Sequence, residues 1–168
     1  RQVYRKSDFQ LMKNTEDIFQ ELEKNAGKGK SIGIVRALWN SEITTRLYNG
    51  CIKTLLDYGV TKEHILTLEV PGSFELIYGC RIAQNDDQHA IIAIGCIVKG
   101  ETPHFDFICN AVSTGIKDLN ILYKTPVIFC VLTDNNIEQS HERSGGKHGN
   151  KGEYSAVAAL KIISTLNK

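Results

Sequence analysis

Nine consecutive residues, AIIAIGCIV from Ala90 to Val98, carry no charge and nothing more polar than a thiol. A strand turns successive side chains to opposite faces, so a run that is apolar at every position is buried on both. Such a strand belongs inside a sheet covered on two sides. Three further runs read as strands: SIGIVRA (31–37), HILTLEV (64–70) and PVIFCVLT (126–133). The segments between them have helical periodicity. In the first, Ile43, Leu47, Cys51, Leu55 and Leu56 share one helical face, and Gly59 marks the stop. Helices are also expected over 73–84 with Ser73 as the cap, over 105–124, over 136–145 and over 151–166. Strands buried on both faces and alternating with helices predict a parallel sheet. The expected fold is an α/β, three-layer α/β/α sandwich with a flavodoxin-like parallel sheet of four strands. A further strand is available from the N-terminal arm.

The chain of 168 residues suits one compact domain. Residues 1–30 are polar, end in NAGKGK and read as an N-terminal arm, with a short helix in TEDIFQELEKN capped by Thr15; residues 31–168 read as the domain. The chain opens on Arg1 rather than methionine, which reads as a start inside a longer precursor, and its N-terminus lacks the apolar region of a signal peptide. A formal net charge of +1 gives no electrostatic footprint for nucleic acid. No apolar run reaches the roughly 18 residues a membrane span requires. Five cysteines form no CxxC pair, and Cys96 and Cys130 fall inside apolar strands. They read as buried thiols in a reducing, cytoplasmic compartment. His141 and His148 do not share a helix face at ligand spacing, so no metal site is expected.

Parallel α/β sheets bind ligands at the carboxyl ends of their strands. The first strand ends in RALWN, where Trp39 is either a core or interface anchor or a surface on which a heteroaromatic ring stacks. The second ends in VPGSFE, where Glu75 either complements a helix dipole or accepts hydrogen bonds from a polyol. After the third come Gly100, Glu101, Thr102 and His104. The peptide N–H groups and the threonine hydroxyl suit an anion, and an imidazole titrates near neutrality. Beyond the fourth, HERSGGKHGNKGE carries Arg143, Lys147 and Lys151 among glycines, an arrangement that suits a phosphate or a solvated loop. The residues alone thus suggest a phosphorylated small molecule and a heteroaromatic ring, without naming a reaction.

LWN (38–40), VPGSFE (70–75), GCIVKGETPHFD (95–106), PVIFCVLT (126–133) and IEQSHERSGGKHGNKG (137–152), in this order and spacing, resemble the lumazine synthase family. The resemblance implies an enzyme that condenses 5-amino-6-(D-ribitylamino)uracil with 3,4-dihydroxy-2-butanone 4-phosphate. The products are 6,7-dimethyl-8-ribityllumazine, phosphate and water, and no metal or organic cofactor is used. It implies that Trp39 stacks on the pyrimidine and that Ser73, Phe74 and Glu75 line the ring and ribityl site. Cys96, Ile97 and Val98 then hold the uracil edge through their backbone. Glu101, Thr102 and Arg143 receive the phosphate, and His104 transfers protons. Phe129 closes the pocket from a neighbouring subunit, and Lys151 lies near the reacting end. Tyr154 departs from the acid many members carry after the NKG turn, which leaves the carboxylate partner of Arg143 or Lys151 open. The resemblance further implies a pentamer, a 60-subunit shell through the turn GGKHGN (145–150), and riboflavin synthase as a partner. Two other readings share the fold: a ligand-binding or shell-forming protein without turnover, and riboflavin synthase of the archaeal type.

Overall fold

The computed structural model describes residues 22–84 and 87–166. Four parallel strands, β1 (Ile32–Ala37), β2 (Ile65–Val70), β3 (Ala90–Val98) and β4 (Val127–Asp134), lie in the order β2-β1-β3-β4. This is the flavodoxin-like arrangement, in which the chain returns past β1 after β2. The longest apolar run, β3, is an interior strand, as its composition requires. Among the described residues, five α-helices connect and cover the sheet: α1 (Ser41–Asp57), α2 (Leu76–Ala83), α3 (His104–Leu122), α4 (Ile137–Arg143) and α5 (Lys151–Leu166).

The strand period sorts the core into two halves. Ile32, Ile34, Ile92, Ile94, Cys96, Ile128 and Cys130 face α1 and α5, where Leu47, Leu55, Leu160 and Ile163 meet them. Val35, Ile91, Ala93, Val127 and Val131 face α2 and α3, against Leu76, Cys80, Val112 and Ile116. Each fully buried Ile or Leu contributes about 1.5–3 kcal/mol. A one-residue slip of β3 would exchange the two sets across the sheet. Within the first of these layers the helices approach closely: a β-carbon on Gly152, in the first turn of α5, would fall 1.9 Å from the carbonyl oxygen of Leu47 in α1.

Several boundaries differ from the sequence-based expectation. Ser73 does not cap a helix. Residues 73–75 form a turn closed by Leu76 N–H donating to the Ser73 carbonyl at 3.2 Å, and α2 starts at Leu76. The Ser73 hydroxyl instead packs over β3, 2.8 Å from where a β-carbon on Gly95 would stand. Helix α3 opens at His104, one residue early, because Pro103 precedes it at φ −62°, a helical value that needs no N–H there. Helix α4 is capped by the Asn136 side chain, which accepts from Gln139 N–H at 3.0 Å. It stops at Arg143 because Gly145 takes φ +121°, and a two-stranded ribbon, β5 (Ser144–Gly146) with β6 (Gly149–Asn150), replaces its expected last turn.

The expected arm helix at 15–25 lies outside the described residues except for its last four, which form a bend and turns. Leu22 and Ala26 rest on the core, and Gly27 N–H donates to the Tyr58 carbonyl at 2.9 Å. Among the described residues, no helix is long and apolar enough to cross a membrane.

Candidate active site

Most of the singled-out residues fall in two clefts, the first at the carboxyl ends of β1, β2 and β3. The first, of about 570 Å³, is lined by Trp39, Asn40, Ser73, Phe74, Glu75, Cys96, Ile97, Val98, Gly100, Thr102 and His104. It collects the residues singled out after β1, β2 and β3. The second runs along the outer edge of β4 and includes Phe129, Asp134, Arg143, Lys151 and Tyr154. Glu101 is exposed and lines neither.

Trp39 is 72% exposed, so it is no core anchor within this chain. Its loop is nonetheless fixed. Trp39 N–H donates to the Pro71 carbonyl at 3.0 Å, and Leu38 N–H to Val70 at 2.8 Å. Asn40 sits in the left-handed region at φ 56°, which asparagine tolerates better than most residues, and its Nδ2 donates to the Cys96 carbonyl at 2.9 Å. A large flat ring is therefore held outward on a rigid base. Glu75 lines the same cleft, its Oε2 3.0 Å from the position a β-carbon on Gly72 would take, so the glycine makes room for the carboxylate.

His104 is the first residue of α3 and lies exposed in the first cleft. The opening turn of a helix leaves N–H groups without helical carbonyls, beside which Thr102 adds a hydroxyl. The loop leading there is tied to β4 by Lys99 N–H donating to the Asp134 carbonyl at 2.9 Å.

The second cleft holds the cations. Arg143 Nε stands 3.4 Å from Asp134 Oδ1, and Lys151 Nζ lies 4.3 Å from the centre of the Tyr154 ring. The carboxylate partner left open by the sequence is thus Asp134 for Arg143, and Tyr154 offers Lys151 a cation–π face. Phe129 projects from the β4 edge, 41% exposed. Within one chain, Arg143, Lys151 and Phe129 are therefore not brought together with His104 and Trp39.

Behind both clefts runs a buried polar chain. Cys96 Sγ donates to Ser140 Oγ at 3.4 Å, and Ser140 Oγ donates to Asp134 Oδ2 at 2.7 Å. Burial raises the Cys96 thiol above its ordinary range, opposed by its hydrogen bond to Ser140, so it remains a protonated donor at neutral pH. Asn40, Asp134 and Ser140 were not assigned roles from sequence. Asp134, an acid closing the apolar strand VIFCVLTD, was the available signal. Among the described residues, no three His, Cys, Asp or Glu side chains converge as a metal would require.

Residues 29–167 match the family described as 6,7-dimethyl-8-ribityllumazine synthase. The chain is 57% identical over 132 residues to the 6,7-dimethyl-8-ribityllumazine synthase of Christiangramia forsetii, covering 77% of this chain and 79% of that one. It is 52% identical over 146 residues to the enzyme of the same name from Flavobacterium johnsoniae, covering 84% and 77%. Against that of Bacteroides fragilis it is 47% identical over 140 residues, covering 81% and 98%. With a match of this extent along nearly the whole described fold, the chain belongs to the 6,7-dimethyl-8-ribityllumazine synthase family.

Proposed function

We propose that a complete active site forms where the first cleft of one copy meets the second cleft of another, and that Arg143, Lys151 and Phe129 all act from the neighbour. The chain is a transferase of riboflavin biosynthesis, a lumazine synthase acting on small molecules. The observation that carries the assembled site is the separation of its parts. The stacking tryptophan and the imidazole line one cleft, and the arginine and lysine line the other.

In this reading the pyrimidine of 5-amino-6-(D-ribitylamino)uracil stacks on Trp39, and Glu75 accepts from ribityl hydroxyls. The Cys96 carbonyl already accepts from Asn40. The uracil edge therefore relies most on the main chain of Ile97 and Val98. The phosphate of 3,4-dihydroxy-2-butanone 4-phosphate meets Thr102, the first N–H groups of α3 and the neighbour's Arg143. Glu101 contributes main chain alone, its exposed carboxylate facing away. The uracil amine attacks the ketone carbon, and water leaves to give an imine. Phosphate then departs, and the ribityl-bearing nitrogen closes the second ring with loss of another water. His104 carries protons between nitrogen and oxygen in these steps. Arg143 stabilises the departing dianion. Holding the two substrates in register supplies much of the acceleration.

The assembly is a pentamer, and twelve pentamers form a shell that can hold riboflavin synthase. The turn at Gly145–Asn150 supports this. Its glycines take φ +121° and +71° at Gly145 and Gly149, and Lys147 N–H donates to Glu142 Oε2 at 3.0 Å. A pinned turn between two helices gives the repeated contact that closed symmetry needs. Free thiols at Cys51, Cys80, Cys96, Cys109 and Cys130 fit a cytoplasmic location. Two measurements test the reading. Mixing both substrates with the protein should yield lumazine absorbance and equimolar phosphate, and lumazine alone should yield no riboflavin. Electron microscopy at neutral pH should show shells; particles no larger than a decamer refute the shell, and an active monomer refutes the shared site.

A further inference from the structure

We propose that Ser140 and Asp134 are positioning residues for Arg143: the buried serine fixes the carboxylate, and the carboxylate holds the guanidinium by Nε so that its outer nitrogens face the phosphate. This rests on the assignment of Arg143 to phosphate. Asp134 is the last residue of β4 and is buried, and both of its oxygens are engaged. Oδ2 accepts from Ser140 Oγ at 2.7 Å, and Oδ1 faces Arg143 Nε at 3.4 Å. Ser140 is fully buried, and its Oγ accepts from the Cys96 thiol at 3.4 Å. That donor sets the direction of the chain, because the serine proton then has Asp134 as its acceptor.

A carboxylate beside a phosphate-binding arginine works against the anion by charge alone. Its benefit is geometric. Guanidinium presents five donors in a rigid plane, and engaging Nε from within leaves the two terminal nitrogens as an outward fork. Arginine is otherwise a long side chain with much rotamer freedom, and order imposed before binding lowers the cost of binding. Arg143 is the last residue of α4 and its side chain is 46% exposed, so the helix alone does not fix it. Asp134 also accepts from Lys99 N–H through its main chain at 2.9 Å, which anchors the loop to Thr102 and His104. One residue thereby sets both the arginine of its own second cleft and the anion loop of its own first cleft.

The test is a double-mutant cycle in the full assembled protein with Ser140→Ala, Arg143→Ala and the pair, checked for folding by thermal midpoint. Inorganic phosphate is the binding probe, and KM is measured for each substrate. Ser140→Ala should weaken phosphate binding and raise KM for the butanone phosphate roughly threefold to tenfold. KM for the uracil and kcat should stay within about twofold, and in the Arg143→Ala background the serine change should add less than about twofold. Unchanged phosphate affinity, equal loss for both substrates, or the same penalty without Arg143 overturns the proposal. If Ser140→Ala does not fold, Asp134→Asn decides. That variant keeps the shape and drops the charge: looser phosphate supports orientation, and tighter phosphate overturns it. Should Arg143→Ala itself leave phosphate binding intact, the assignment of the arginine fails first and is seen to fail separately.

Discussion

Replacing Gly152 by alanine places a methyl group where the chain has no room. The added β-carbon would lie 1.9 Å from the Leu47 carbonyl oxygen, 2.7 Å from its carbon and 3.0 Å from Asn150 Oδ1. Even attractive C–H···O contacts sit at about 3.3–3.6 Å, so α5 and α1 must separate by about 1.4 Å or more. The obstacle is backbone, which cannot rotate away. Overpacking of this kind costs about 1–3 kcal/mol. The separation also strains a buried knot in which Gly152 N–H donates to Asn150 Oδ1 at 2.8 Å and Asn150 Nδ2 donates to the Arg46 carbonyl at 3.0 Å. Losing a buried hydrogen bond costs about 1–3 kcal/mol. Against this, alanine is the better helix former by about 1 kcal/mol. A net loss of about 3 kcal/mol is expected, and at about 2–4 °C per kcal/mol for a chain of this size Tm should fall by about 6–12 °C. The measurement is thermal unfolding of parent and variant at equal protein concentration, since any association makes Tm depend on it. Because Lys151 precedes the glycine and Asn150 also reaches Ser144 next to Arg143, KM for the phosphate substrate should rise as well. A Tm unchanged or raised would refute the steric argument.

Two further outcomes are expected. His104→Ala should slow turnover by about a hundredfold or less, at the low end for general acid–base groups, with both KM values kept; a variant as fast as the parent removes the side chain from the mechanism. Burial pushes the Cys80 thiol up to about 12 and the Cys130 thiol to about 11 from an ordinary 9.0. Above pH 9 the unfolded chain therefore loses protons that the native chain keeps, so stability is full below pH 9 and falls as pH rises, by about 1.4 kcal/mol per pH unit per thiol. Urea unfolding at a series of pH values should show this slope, and it should shrink in Cys80→Ala; a flat profile counts against the buried thiols.

Strand β3 was legible because burial on both faces leaves no other composition. Ala90–Val98 reads as an interior strand at every position, and its neighbours follow from the alternation. Helix starts were less so. Ser73 has the chemistry of a cap, yet Pro71-Gly72 bends the chain and Gly95 offers the hydroxyl a place against the sheet, so a tertiary contact overrides the local preference. The cleft holding Trp39, Glu75 and His104 could be anticipated because each follows its own strand. Spacing could not reveal that Arg143 and Thr102 line separate clefts of one chain, since motif order does not fix which cleft a residue enters. Nor could it pair Ser140 with Cys96, whose contact depends on the β3–β4 register and the docking of α4 against it.

The proposed division of the site between two copies has a physical logic of its own. A stacked pyrimidine needs a flat apolar face and main-chain groups, which the ends of β1 and β3 provide without charge. A phosphate dianion needs cations, and Arg143 and Lys151 beside the Trp39 face would have to be held in place with no ligand present. Placing them on another surface lets each find a partner at home, Arg143 the carboxylate of Asp134 and Lys151 the face of the Tyr154 ring. On the proposed shared site, the charges face the aromatic cleft only when two copies meet. Under that proposal assembly is a condition for catalysis rather than a container for it, and a variant that cannot associate is expected to lose phosphate affinity together with turnover while keeping its affinity for the pyrimidine substrate.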